Sequence, residues 1–595
     1  MRLHSRADTS GHTNTQRFER RLLPIMLTAA LASTQAQAVE FNLGEIEGRF
    51  DSQISVGASW RVEGADSNLI SPVNGGTSKG AGSYDDATQN FMKGDTFSQI
   101  VKGVHDLELR YENVGAFVRG KYWYDAELND GKRPHGNTGN SYNAGEELDD
   151  SGFNDYAKFS GAEILDAYLY GEFELGDKPL DVRVGRQVVN WGESTFIQGG
   201  INGINAFDVN AFRRAGAEVK EGLLPSNMAF ASLGVTDNLS IEGFYQIKWE
   251  PTAIDGCGTY FSTNDFTAQG CNGIRIDSGA LGNLDDEAYF GFAPNVVVQR
   301  DSNGRREADD DGQFGFAFRY FAEELNDTEF GFYYSRYHSR LPIASGIFDV
   351  GNPVLSTLNS RYFVEYPEDI QMFGLSFNTM LGDIAWSGEY SYKKDAPMQI
   401  NGTSLVQGIL TGGATGNTAL DAYITAVPGT EIDGYQTFDI SQFQTSLISF
   451  HDRVLGASRL ALIGELGWTH VHGLDEGADQ LKYGRSGAFG YTAGDNDGFV
   501  TQDSFGYVLR ASLTYPDAFA GVNLKPEVSF KHGVHGFGPE PGAAFREGEK
   551  SLSLSLTGDY LNTYSVQLSY TNFFGGDYNA IEDRDFIALS GSISF

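Results

Sequence analysis

The feature that most constrains this chain is an alternation of apolar and polar residues at every second position, which recurs along its length and breaks off at turn signals. Leu107, Leu109 and Tyr111 alternate with Asp106, Glu108 and Arg110. Leu239, Ile241, Gly243 and Tyr245 share one face, and Phe314, Phe316, Phe318 and Tyr320 share another. Successive strand side chains point to opposite faces, so each stretch reads as a strand with one apolar and one polar side. The connections are of two kinds. Short ones are built on Glu112-Asn113, Gly176-Asp177-Lys178-Pro179, Thr236-Asp237-Asn238, Asn326-Asp327-Thr328 and Leu381-Gly382-Asp383, with residues that tolerate the left-handed backbone of a tight hairpin. Long polar ones lie near 64–97, 126–159, 251–311, 339–369, 395–439, 471–503 and 533–548.

The pattern predicts about 18 strands, near 50–62, 98–111, 115–125, 160–175, 180–190, 227–235, 239–250, 312–323, 328–338, 370–381, 384–394, 440–451, 458–470, 504–515, 522–532, 549–559, 562–573 and 586–595. An even count puts both ends of the sheet on one side and every long loop on the other, as in an outer-membrane barrel. A sandwich or propeller does not require that parity. The expected fold class is therefore all-β, a transmembrane antiparallel β-barrel. Its 595 residues form one domain rather than several. After residue 38 no stretch holds 18 consecutive apolar residues, which excludes a helical membrane bundle. The mean hydropathy of −0.31 suits strands that face lipid on one side only.

Residues 1–38 read as a signal peptide. Arg17, Arg20 and Arg21 precede the apolar run at 22–32, and Ala36-Gln37-Ala38 offers a small-residue cleavage site, leaving 39–595 as the barrel. The formal charge is −36, and loss of a leader with five basic and two acidic residues takes it to about −39. Such acidity argues against a nucleic-acid partner, which demands basic patches. It suits contact with outer-membrane lipid and lipopolysaccharide, where divalent cations gather. At the other end, Ile587, Leu589, Gly591, Ile593 and Phe595 alternate in a final amphipathic strand. A terminal aromatic there makes Phe595 the expected signal for the outer-membrane assembly machinery and places the protein in the bacterial outer membrane. Trp60, Trp123, Trp249 and Trp468 fall near the outer strand ends, where an interfacial aromatic girdle would lie.

One stretch breaks the rule. Over 191–225 the alternation disappears, Gly192, Gly199, Gly200 and Gly203 punctuate the run, and charges of both signs accumulate. A long irregular segment with balanced charge between two membrane strands is expected to fold inward and constrict the lumen. The residues assigned to this constriction are Arg183, Arg186, Glu193, Asp208, Arg213, Arg214, Glu218 and Glu221. Arg183 and Arg186 oppose the lipid-directed Val182 and Val184 and are expected to pair bidentately with the acids of the segment.

Little else points to chemistry. No GxSxG nucleophile elbow occurs, so no catalytic residue and no enzymatic activity are expected. His470 and His472 lack a third ligand, and Asp309-Asp310-Asp311 and Asp495-Asn496-Asp497-Gly498 lack the full spacing of a calcium loop. Neither a metal site nor a cofactor is expected. Cys257 and Cys271 share one loop of an exported chain and are expected to form a disulfide, which stabilises a loop of that size by about 3 kcal/mol.

Several ordered blocks resemble a proteobacterial family known as domain of unknown function 1302. They are FNLGEIEGRFDSQISVGASWRV, RVGRQVVNWGESTFIQGGIN, FRRAGAEVKEGLLP, IKWEP with CGTYFSTNDF, VEYPEDIQMFGLSF and the closing DRDFIALSGSISF. The resemblance covers nearly the whole chain after the leader. It implies an outer-membrane barrel that works beside a periplasmic or lipoprotein partner and an inner-membrane exporter of the resistance-nodulation-division type, in lipid, steroid or hydrocarbon metabolism. Ala206 and Ala215 stand where the family pattern often has proline. The function expected on this basis is a channel or transporter for hydrophobic or amphipathic small molecules. The alternative is a structural or receptor barrel that conducts nothing.

Overall fold

The structure is a computed structural model that describes residues 39–80, 82–276, 284–292, 297–349 and 359–595. The expected leader over 1–38 lies outside the described residues. Among these, eighteen strands close into one antiparallel barrel. In chain order they are β1 (Ile46–Arg61), β2 (Thr96–Tyr111), β3 (Val114–Asp125), β4 (Ser160–Leu175), β5 (Lys178–Gln187) and β6 (Ser226–Thr236). Then follow β7 (Leu239–Gln246), β8 (Phe314–Ala322), β9 (Thr328–Tyr337), β10 (Ile370–Leu381), β11 (Ile384–Gln399) and β12 (Tyr435–Asp452). The circuit ends with β13 (Arg459–His472), β14 (Asp503–Phe519), β15 (Val522–His535), β16 (Lys550–Tyr560), β17 (Tyr564–Phe574) and β18 (Phe586–Ser594).

Closure is made by β18 against β1, in register from Gln53 opposite Ser594 to Arg61 opposite Phe586. Phe595 continues the ladder, its N–H donating to the Ser52 carbonyl at 2.8 Å and its carbonyl accepting from the Ser52 N–H at 2.5 Å. Below it the short strand Val39–Leu43 pairs with β1, Val39 opposite Phe50. The first and last described residues thus occupy successive stretches of one lane beside β1.

The two faces of the wall differ as the alternation requires. Leu169, Val184, Phe318, Phe332, Leu375, Leu447, Leu466, Leu509, Leu556 and Leu568 stand exposed on the outside. A closed ladder leaves no unpaired backbone at the edge, and an apolar exterior then makes it stable in hydrocarbon. Eight short turns lie at one rim, and several rely on residues held at positive φ, such as Glu112, Asn326 and Asp327. The nine long connections start and end at the other rim. These are more than polar loops. They carry a second, five-stranded sheet made of Ile274–Arg275, Val297–Arg306, Arg361–Glu365, Ile343–Phe348 and Thr430–Ile432. Cys257 and Cys271 are disulfide-bonded there, buried beside Tyr142, Leu148, Phe153 and Phe159.

The aromatic girdle needs correction. Trp60 and Trp468 sit at the wall, but Trp123 and Trp249 are each 3% exposed. Trp123 donates from its indole to the Lys158 carbonyl, and Trp249 packs with Ala308 and Tyr366 among the outer loops. The strand expected to reach residue 250 ends at Gln246, so Trp249 leaves the wall and joins that cluster.

Candidate functional site

The connection between β5 and β6, residues 188–225, touches opposite walls. In a ring of eighteen strands, β1–β3 and β11–β13 face each other across the lumen. A segment bonded to both runs through the interior.

Its first half is held by carboxylates of the wall. Glu389 on β11 accepts the backbone N–H groups of Glu193 at 2.6 Å, Ser194 at 3.2 Å and Ile201 at 3.0 Å. Glu465 on β13 accepts those of Thr195 at 3.1 Å, Phe196 at 2.5 Å and Ile197 at 3.3 Å. Gln442 on β12 donates to the Gln198 carbonyl at 2.8 Å. Three of the four glycines noted in the sequence, Gly192, Gly199 and Gly200, follow from this approach. Gly200 has φ +27°, and a Cβ there would lie 2.0 Å from a Glu389 oxygen; at Gly192, with φ +86°, the distance would be 2.3 Å. Only glycine combines that backbone with that proximity. Trp191 anchors the entry, its indole donating to Glu242 at 2.7 Å while its ring packs on Phe244 and Tyr333.

The second half carries its own carboxylates to the facing wall. Asp208 meets Lys121 on β3 at 2.7 Å, and Glu221 meets Lys102 on β2 at 2.5 Å. All four side chains are buried. Asp208 also caps the helix Val209–Arg213 by accepting from the Ala211 N–H. Glu218 accepts from Gln53 on β1 at 2.6 Å.

The expected partnership of Arg183 and Arg186 with these acids is therefore corrected. Arg183 lies over the Phe230 ring at 4.3 Å, and Arg186 pairs with Glu250 and donates to the Tyr156 hydroxyl. The two arginines are on β5, whereas the acids reach the β1–β3 wall, where lysines are waiting. Arg213 pairs with Asp255 at 3.0 Å over the Phe261 ring. Arg214 lies over the Trp123 ring and donates to the Tyr156 carbonyl. Burial lowers the Arg214 pKa, with Asp208 acting against it. Glu193 accepts from Asn378, and burial pushes its carboxyl up to about 7. Of the eight assigned residues, Asp208, Arg214, Glu218 and Glu221 come together on the β1–β3 wall, while Arg183, Arg186, Glu193 and Arg213 lie elsewhere.

Lys102, Lys121, Glu389 and Glu465 do as much as any of these and were missed. Their signal is present: each is an ionisable residue inside a membrane strand, which is costly unless it faces the lumen and has a partner. On the short-turn side of the segment lies a cavity of about 480 Å³, lined among others by Tyr168, Tyr170, Phe230, Arg183, Glu108 and Glu242. It offers aromatic faces beside charges of both signs.

A closed, even-stranded antiparallel barrel with an apolar exterior and long loops at one rim has the architecture of an outer-membrane barrel. The chain belongs to the family described as protein of unknown function (DUF1302), whose model matches residues 20–595. No protein of curated function matches it. Among solved structures it is similar to OccAB3 of Acinetobacter baumannii, at 9% identity and a TM-score of 0.40 over 92% of this chain and 99% of that one. It is also similar to OccK11 (OpdR) of Pseudomonas aeruginosa, at 10% identity and a TM-score of 0.38 over 92% and 96% of the two chains. Likeness at that level says nothing of substrate.

Proposed function

We propose that the protein is an outer-membrane channel for hydrophobic or amphipathic small molecules, narrowed by residues 191–225. The observation that carries this reading is the attachment of that segment to opposite walls, through Glu389 and Glu465 on one side and Lys102 and Lys121 on the other. The cavity beside it supports an amphipathic ligand, since Tyr168, Tyr170 and Phe230 give apolar area while Arg183, Glu108 and Glu242 orient a polar end. Coupling to a periplasmic partner and an inner-membrane exporter belongs to the same proposal. So do removal of residues 1–38 as a signal peptide and recognition of Phe595 by the assembly machinery.

Deleting 196–220, bridged by a short Gly-Ser linker, tests the central claim in planar bilayers. Single-channel conductance rises, because an unplugged barrel of this size leaves an aqueous channel. Conductance equal to that of the unmodified protein would remove the constriction. A non-conducting structural or receptor barrel is the second reading. It is favoured by the apolar cluster that runs from Trp191, Ile201 and Tyr333 into the outer loops at Leu405, Leu420 and Tyr483. An unmodified barrel that passes no current and no solute, with a deletion variant that conducts, would select it.

A further inference from the structure

Two outer loops far apart in sequence bring four carboxylates into one buried site. Asp85 and Asp86 come from the β1–β2 loop, and Asp265 and Asp286 from the β7–β8 loop; each is at most 1% exposed. One carboxylate oxygen from each of Asp85, Asp86 and Asp265 lies within 4.8 Å of those of the other two, and Asp86, His135 and Asp286 meet the same limit. The cations within contact do not match this charge. Arg275 meets Asp286 at 2.9 Å, and His135, from the β3–β4 loop, reaches Asp86 and Asp286 at 3.2 Å each. Among the described residues, even with His135 protonated, four negative charges face two positive ones. Like carboxylates at such distances in a dry site repel strongly.

A second observation concerns hydrogen bonding rather than charge. Among the described residues, the donors that reach the carboxylates are Ser71 N–H and Asn74 to Asp85, Asn74 and Arg275 to Asp286, and Asn137 and Tyr142 to Asp86. Asp265 is served on one oxygen alone, by the Asp86 N–H at 3.4 Å. Its other oxygen, Oδ1, is buried without a hydrogen-bond partner among the described residues. So is the side-chain carbonyl of Asn137, whose amide nitrogen is bonded to Asp86, and Asn137 is 1% exposed. Buried acceptors are ordinarily satisfied. This site has an excess of oxygen acceptors and a deficit of both donors and positive charge.

We propose that Asp85, Asp86 and Asp265 bind a divalent cation, Ca²⁺, which fastens the β1–β2 and β7–β8 loops together at the outer rim. Oxygen ligands, several of them carboxylate, in a site assembled from loops suit Ca²⁺ better than a transition metal. A charge of +2 balances the remainder. The acidic runs at Asp309-Asp310-Asp311 and at Asp495 are spent otherwise: Asp310 accepts the Trp249 N–H, and Asp495 pairs with Arg485.

The test uses the full barrel, extracted in detergent and freed of lipopolysaccharide. Ca²⁺ is measured by elemental analysis after equilibrium dialysis, and Tb³⁺ by luminescence sensitised through Tyr142, whose hydroxyl contacts Asp86. One tightly held Ca²⁺ per chain is expected, with Tb³⁺ luminescence that Ca²⁺ displaces. Asp265→Asn, isosteric and neutral, lowers the affinity at least tenfold with an unchanged heat-modifiable folded band. If that variant does not fold, Asp85→Asn takes its place, and the wild-type stoichiometry still decides. Absence of bound Ca²⁺ at millimolar concentration in the wild type overturns the proposal and leaves the acids neutralised by protons. Equal binding by wild type and both variants overturns it too, by moving the cation elsewhere.

Discussion

The two halves of the inward segment are fastened by opposite logic. Residues 192–201 have almost no secondary structure, and their backbone N–H groups are received by two wall carboxylates, three by Glu389 and three by Glu465. Residues 206–224 fold into the short helices Val209–Arg213 and Val219–Gly222, which satisfy part of their own backbone. They present side-chain carboxylates to wall lysines. In one half the wall supplies the anion and the segment a ring of N–H dipoles; in the other the segment supplies the anion. An irregular chain in a closed lumen must send its backbone groups somewhere, and the contrast shows two ways of doing so.

The largest expected effect comes from removing both receiving carboxylates. Glu389→Ala with Glu465→Ala strands six N–H groups, each costing about 1–3 kcal/mol if left unsatisfied. The first half then detaches, and conductance in planar bilayers climbs toward that of the 196–220 deletion. Unchanged conductance would mean the apolar contacts of Trp191 and Ile201 suffice. Next is the lysine side. Lys121→Met leaves Asp208 buried and unpaired, a loss of about 3–5 kcal/mol, whereas Lys121→Met with Asp208→Asn recovers most of it. Thermal melts of the three proteins in detergent measure this, and an unrecovered double variant would show that the lysine acts through more than the pair.

Gly200→Ala sharpens the comparison at lower cost. A side chain at φ +27° and 2.0 Å from Glu389 strains the first half only, by about 1–2 kcal/mol. Hydrogen exchange is expected to quicken over 192–201 and to stay unchanged over 206–224; equal quickening would make the two halves one cooperative unit. The smallest effect is that of pH. The Glu193 carboxyl, raised by burial to about 7, is held protonated in place while the unfolded chain's is not. Its native state therefore binds more protons between the unfolded value, near 4.3, and about 7, so stability falls as pH rises through that window. Exchange over 192–201, corrected for its intrinsic pH dependence, rises from pH 5 to 8 in the wild type and less steeply in Glu193→Gln. Identical slopes would exclude Glu193 as the titrating group.

The strand pattern was readable in the sequence because a membrane wall enforces period two at each strand, and the eighteen expected strands match the eighteen found within a few residues. The stretch over 191–225 stood out for the opposite reason, as the place where that period fails. What stayed hidden is long-range pairing. Asp208 and Lys121 are 87 residues apart, and Glu465 and Phe196 are 269 apart. Local spacing favoured Arg183 and Arg186 as partners because they were near in sequence, yet the segment crosses the lumen before it finds its charges. The buried Asp85, Asp86, Asp265 and Asp286 were invisible likewise, since two distant loops must fold before they meet.

The seam between β1 and β18 carries a consequence for the order of events during assembly. Arg61, at the rim end of β1, donates to Asp583 at 2.5 Å with both side chains buried, across 522 residues of chain. Entropy alone does not forbid such a contact, since each doubling of a loop adds only about 0.6 kcal/mol. Timing is the difficulty. The first strand emerges without its neighbour, and its free edge cannot enter hydrocarbon unpaired. β1 must therefore wait, shielded, until β18 arrives, and any chain that stops short of β18 carries two raw edges instead of none. Insertion becomes a terminal event, and the Arg61–Asp583 contact is a latch that can shut only after everything between has taken its place.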